Sequence, residues 1–455
     1  MADIHDLPAE LLHAIFEWLW LHGWSQLRPN QDSYRDLKNA SLVCSDWRAQ
    51  ACRCLFRDFC YSFQRVPDKD KWAGVRHGKD GRWGQHFGEP EKVPYKTLEE
   101  LLAFLQNRPD IATSVKSLRL TCYPTQWRTE AGPQFSRQFS AGDRIDPAML
   151  ASLLRLLPQL SLLRTRSVVP TGPLAPGFQI DLPALKCLIV SFNSRQAESR
   201  DAEMLLRCFA TVPHLELQGN PSGVGGAWQV VAAPDTESRL ALERLTLVNV
   251  SSIAPGLLHT LVHSPTVHSL RVLRLEAVRA SALPAVQAII NAAGAGVTTV
   301  RFDTLTASEH ARQAQVLDFS ACQALERLTL SIDLEPENRE QMEAALATAT
   351  AIFGALTAGP GAALRNLTDI VLELCIDVLQ HDGSDDGHAE ADGTHLEQAL
   401  DALIERSSVT KITVYCVCDP DAEAERAAVD MVKNLFPGLH NRQRLEIETD
   451  ADDAD

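Results

Sequence analysis

The hexapeptide LERLTL at residues 242–247 places Leu245 and Leu247 two positions apart, with Leu242 three positions before the first of them. Alternate residues of a strand point to opposite faces, so Leu245 and Leu247 share one face while Arg244 and Thr246 share the other. Aligned on Leu245, the chain repeats this spacing at Leu118, Leu160, Leu188, Leu215, Leu273, Val300, Leu328, Ile370, Ile412 and Leu445. From Leu160 to Leu328 successive anchors lie 27 to 30 residues apart. A fixed period of this size marks an architecture in which each unit buries its apolar face only against its neighbours. Between anchors, residues 202–212, 283–294 and 340–356 carry helical apolar periodicity. The pattern predicts an α/β fold, a curved solenoid of about ten units with one short strand and one helix each. Steps of 42 residues follow Leu118, Leu328 and Ile370, and the polar stretches 125–146 and 381–393 read as insertions there.

A chain of 455 residues is too long for one ordinary core, which agrees with a repeat array. With 45% hydrophobic and 22% charged residues it has enough apolar side chains to build a large interior. A net charge of −16 opposes unspecific binding to nucleic acid or to an anionic membrane, so neither is expected as a partner. Residues 1–6 lack a basic leader, and the apolar helix that follows is too short to span a bilayer. The expectation is a soluble protein of the cytoplasm, the nucleus or both. Its eleven cysteines sit mostly in apolar runs, where free thiols behave as small hydrophobes.

Catalytic signatures are sparse. The glycines of GNPSGVGG at 219–226 are not followed by the Lys-Ser/Thr of a phosphate-binding loop, and no G-x-S-x-G turn occurs. His259 and His263 lie four apart without a third ligand, and the cysteine pairs Cys52/Cys54 and Cys416/Cys418 are C-x-C rather than C-x-x-C. The sequence gives no reason to expect an enzyme, a cofactor or a bound metal. Residues 68–94 mix basic side chains with Trp72 and Trp83, a pattern open both to partner binding and to an ordinary surface loop.

Five positions after some anchors stand Asn193, Asn220 and Cys375, elsewhere Thr165 and Val278. With L-x-x-L-x-L before them, the units resemble degenerate leucine-rich repeats. At the other end, LPAELLHAIFEWL (7–19), SLVCSDWR (41–48) and CLFRDF (54–59) resemble the F-box, in the form abundant in fungi. That resemblance implies a small all-α N-terminal domain of three helices that docks on the Skp-type adaptor of a cullin ubiquitin ligase, while the repeats hold an unknown protein substrate. About seventeen residues separate the first two helices, more than the family usually has. The implied organisation is a helical domain over 1–60, a connecting stretch over 61–96, repeats over 97–450 and an acidic tail over 451–455. Carried over by position, Leu7, Pro8, Leu11, Leu12, Ile15, Leu42, Val43, Cys44, Trp47 and Leu55 would form the adaptor face or the small core behind it. Periodicity alone does not separate the two roles, and Leu12, Phe16, Trp47 and Leu55 are the strongest core candidates. Ser45 is expected to cap the third helix, and Thr97 with Glu100 to form a capping box on a helix over 97–107.

The phase of Leu245 places Arg244, Arg274, Arg301 and Arg327 on the concave face, where they would meet an acidic or phosphorylated substrate segment. The other reading makes them solvated positions balanced by Glu276 and Asp303. A scaffold that binds a partner without any ubiquitin-ligase role is the alternative function.

Overall fold

The computed structural model describes residues 11–12, 14–16, 24–25, 28–29, 31–63, 97–122, 144–166, 168–170, 178–191, 205–219, 241–249, 258, 261–263, 265–276, 283–303, 317–334, 339–358, 365–376, 393–417 and 422–449. The chain divides into two compact units, Met1–Ser191 and Phe192–Asp455.

In the first unit, residues 11–12 and 14–16 are helical, and Trp24–Ser25 (β1) pairs antiparallel with Arg28–Pro29 (β2). Two helices follow, Gln31–Ala40 (α1) and Ser45–Leu55 (α2). The sequence places the first of these over 37–44, but it starts and ends earlier. Cys44, not Ser45, is the N-cap of α2: its backbone is extended (φ −154°, ψ 177°) and its Sγ accepts from the Trp47 N–H at 3.5 Å. An extended residue there forces α1 to finish before it, which leaves Leu42 and Val43 in the turn.

Residues 58–63, read as the end of the helical segment and the start of the connecting stretch, form a strand, Asp58–Phe63 (β3). It pairs in parallel with Ser117–Cys122 (β4), which pairs with Leu162–Arg166 (β6), which pairs with Cys187–Ser191 (β8). The short strands Arg144–Ile145 (β5) and Val169–Pro170 (β7) pair separately. Helices Leu98–Asn107 (α3), Pro109–Ala112 (α4) and Pro147–Arg155 (α5) complete the unit. The capping box on α3 forms as expected, with the Glu100 N–H donating to Thr97 Oγ1 at 3.2 Å and the Thr97 N–H to Glu100 Oε2 at 3.1 Å. The Tyr61 hydroxyl donates to the Thr97 carbonyl at 2.7 Å and so ties β3 to that helix end.

The second unit contains eight parallel strands: His214–Gln218 (β9), Arg244–Val248 (β10), Val272–Glu276 (β11), Thr299–Asp303 (β12), Arg327–Leu334 (β13), Asp369–Ile376 (β14), Ile412–Val417 (β15) and Leu445–Thr449 (β16). Helices Leu283–Ala293 (α6), Arg339–Ala358 (α7), Thr394–Arg406 (α8), Ala422–Leu435 (α9) and Pro437–Asn441 (α10) alternate with them.

Register converts the sequence period into stacked rows. Leu215, Leu245, Leu273, Val300, Leu328, Ile370, Ile412 and Leu445 stand side by side across the eight strands, and all but Leu445 are buried. A second row runs through Leu217, Leu247, Leu275, Phe302, Leu330, Leu372 and Val414, and a third, three positions before the anchors, through Val212, Leu242, Leu270, Val297, Leu325, Leu367 and Val409. Each fully buried Leu or Val contributes about 1.5–3 kcal/mol, so the rows hold neighbouring repeats together without any long-range element. Backbone bonds entering the strands fix the phase, for example Arg271 N–H to the Glu243 carbonyl, Thr298 N–H to Arg271 and Glu326 N–H to Thr298, each at 2.8 Å. At Gly294 the chain passes so close to its neighbour that a Cβ would lie 2.6 Å from the Ala321 carbonyl oxygen, which accounts for glycine there. At the edge of this sheet, β16 leaves Leu445 and Ile447 half-buried and turns Glu446 and Glu448 to solvent.

One anchor is corrected. Leu163, not Leu160, pairs with Leu118 and Leu188. The stretch LPQLSLL at 157–163 offers the L-x-x-L spacing twice, and the buried Leu157 and Leu160 belong to the turn before β6. Thr165 therefore occupies the second apolar row rather than the Asn/Cys position. It is buried, and its hydroxyl donates to the Ile189 carbonyl at 3.4 Å. Asn193, Asn220 and Val278, the insertion 125–143 and residues 68–94 lie outside the described residues.

Candidate functional site

The N-terminal helices sort their apolar residues by face. Leu12, Phe16, Leu37 and Cys54 form a small core, with Ala40, Trp47 and Leu55 packed against it. The Phe16 and Trp47 rings meet edge to face at 5.5 Å, an arrangement that adds to the burial of both. One residue away in each case, Leu11 is 52% and Ile15 47% exposed, and in the turn before α2 Leu42 is 71% and Val43 54% exposed. Of the six exposed large hydrophobic side chains among the described residues, these are four. The candidate adaptor residues thus divide into Leu12, Trp47 and Leu55, which hold the helices together, and Leu11, Ile15, Leu42 and Val43, which face solvent. Cys44 serves as a helix cap, and Leu7 and Pro8 lie outside the described residues.

On the sheet of the second unit, the face opposite the apolar rows carries charge. Arg274 and Arg301 are cross-strand neighbours, as the phase of the sequence implied. Both carry carboxylate partners from the same sheet. Arg274 pairs with Glu276 two residues on, and Arg301 reaches Asp303 at 3.5 Å and, across β13, Glu373 at 2.7 Å. Burial raises the carboxyl pKa of Glu276 and Glu373 against the opposing pull of Arg274 and Arg301. Arg244 and Arg327 begin their strands, both exposed. Beside Arg244, His214 Nε2 lies 2.9 Å from Thr246 Oγ1. Sequence reading passed over His214 and Glu373, although counting outward from Leu215 and Ile370 in the same phase finds both.

Burial, reinforced by Arg244, lowers the His214 pKa from 6.5. A base that protonates less readily when folded leaves stability intact above its ordinary pKa and withdraws it as pH falls below that value. Glu276 and Glu373, shifted upward, act with the opposite sign: their contribution is complete below 4.5 and is lost as pH rises through their folded values. Thermal unfolding of His214→Gln should therefore lose less stability than the parent as pH falls from 6.5, and an equal acid slope would refute this role.

Among the described residues, no group of three or more His, Cys, Asp or Glu side chains is placed to hold a metal ion, and no helix is long and apolar enough to cross a membrane. His259 lies outside them. Nine of the described cysteines are free thiols, and burial pushes Cys208 and Cys322 up to about 12, which keeps both as inert thiols. No family model matches the chain, and no curated protein matches its sequence.

Proposed function

We propose that this protein is the substrate receptor of a Skp–cullin–F-box ubiquitin ligase, with its N-terminal helices docked on the Skp-type adaptor and its leucine-rich repeats holding a protein substrate. The observation that carries this reading is the exposed quartet Leu11, Ile15, Leu42 and Val43, displayed beside a small core in which Leu12, Phe16, Leu37, Trp47 and Leu55 are already used internally. Water-exposed Leu, Ile and Val concentrated in one small element mark a surface that gains by burial against a partner. The resemblance of the same segment to the F-box names that partner. The repeats support the second half of the reading: the outward positions of the strands are mostly polar, and eight described strands lie in register in the second unit.

In this role the chain performs no bond chemistry. It holds the substrate near the ubiquitin-charged conjugating enzyme, so that transfer becomes effectively intramolecular. The test is capture: tagged full-length protein, purified from cells, is expected to bring down the Skp-type adaptor and a cullin. A soluble, folded chain that recovers a partner but no adaptor would overturn the ligase reading in favour of a binding scaffold.

A further inference from the structure

Three arginines lie on the face of the first unit's strands opposite its apolar rows, and two of them, Arg119 and Arg164, lack the carboxylate partners seen in the second unit. Arg119 of β4 and Arg164 of β6 are direct cross-strand partners, and Arg166 follows two residues on, opposite Thr121. Adjacent strands lie ~4.8 Å apart, so the two side chains leave neighbouring strands at the same level. Across the four strands β3, β4, β6 and β8 the single acidic residue is Asp58, at the start of β3. Among the described residues no hydrogen bond or ion pair joins Arg119 or Arg164 to another residue, and the Nε of Arg164, like those of Arg274 and Arg301, is a buried donor without a hydrogen-bond acceptor. Arg274 and Arg301, the matching cross-strand pair of the second unit, both have carboxylate partners. Two arginines at paired register positions without a carboxylate partner, one of them with an unmet buried donor, leave charge and hydrogen-bonding capacity that an oxyanion seated between the two strands would satisfy.

We infer that Arg119 and Arg164 bind an oxyanion carried on a protein segment, a phosphoryl group or a pair of carboxylates, on the face of the repeats proposed above to hold the substrate. The inference rests on that reading only for calling the ligand a substrate. Two planar forks side by side suit a group with several oxygens, since each fork can engage it bidentately. A nucleic acid is disfavoured as the source because the whole chain carries −16 and repels an extended polyanion. The exposed thiol of Cys60 stands beside Arg119 on the neighbouring strand and reports occupancy.

The experiment uses the full-length protein and three fluorescein-labelled degenerate peptide pools of one length, with phosphoserine, Glu-Glu or Ser-Ser at the centre, together with a single-stranded oligonucleotide. Fluorescence anisotropy is expected to show the phosphoserine or the Glu-Glu pool binding at least about tenfold tighter than Ser-Ser, the usual scale for one charge-assisted contact. Which of the two leads identifies the source. Arg119→Glu with Arg164→Glu should remove the preference, Arg244→Glu on the other unit should keep it, and the preferred pool should slow alkylation of Cys60, read by peptide mass spectrometry. If the double variant melts early, Arg119→Gln alone, at an exposed position, carries the comparison. Equal binding of all three pools, equal loss in Arg244→Glu, or an oligonucleotide that binds as tightly as the best pool would overturn the site. Adaptor capture is a separate readout, so its failure removes the ligase reading and leaves this result standing.

Discussion

Phe16→Ala should unfold the N-terminal helical cluster, while Leu42→Asp with Val43→Asp should leave it folded and abolish adaptor capture. Phe16 is 1% exposed and shares its core with only a few side chains. Truncating a buried Phe costs about 3–5 kcal/mol, and a core this small has little reserve. Leu42 and Val43 stabilise nothing internally, because they project from a turn into water. Buried in an interface, residues of this kind are each worth about 2 kcal/mol or more where they form hot spots, roughly 30-fold in affinity. Far-ultraviolet circular dichroism and melting of the two variants, beside an adaptor pull-down, read the contrast directly. Adaptor capture by a folded Leu42→Asp, Val43→Asp protein would show that this turn is not the docking surface.

Phe302→Ala should produce the largest loss of stability in the second unit. Phe302 is the one aromatic residue in its buried row, flanked in register by Leu275 and Leu330. Its truncation leaves a cavity that parallel ladders on both sides prevent from collapsing, so a cost of about 3–5 kcal/mol is expected. Phe302→Leu, which restores the residue type of most neighbours, should cost clearly less. Arg244→Ala, exposed on the opposite face, should stay within about 0.5 kcal/mol. Chemical denaturation of the three variants checks the order, and a loss at Arg244 equal to that at Phe302 would contradict the assignment of faces.

The rows were legible in the sequence because a strand has only two faces: once Leu245 and Leu247 are assigned to one, every residue of the ladder follows. This logic placed Arg274 beside Arg301, and the Thr-x-x-Glu spacing separately placed the capping box at Thr97 and Glu100. It failed where leucines are too plentiful to fix the phase. Anchoring on Leu160 puts Arg164 four residues on, among the inward positions, whereas the true anchor Leu163 sends it outward beside Arg119. The arginine pair of the first unit was therefore hidden by a shift of three residues. In the helical segment the difficulty is geometric. Leu11 and Leu12, or Ile15 and Phe16, lie one residue apart on the same broad apolar stripe, and only the packing of α1 and α2 decides which member turns inward. The partners of Arg274 and Arg301 were visible as nearby acids, but Glu373, one repeat beyond β13, required the register.

The outermost strand of the second unit has a bearing on how copies of this protein behave at high concentration. Among the described strands β16 pairs only with β15, which makes it an edge of the described sheet. An unprotected sheet edge seeds chain-to-chain aggregation. A second copy adding in parallel and in register would stack Glu446 on Glu446 and Glu448 on Glu448, like charges at strand spacing, with Lys411 3.9 Å from the first of them and too far inside to neutralise a newcomer. Like charges at those two positions would oppose in-register addition of a second copy to β16.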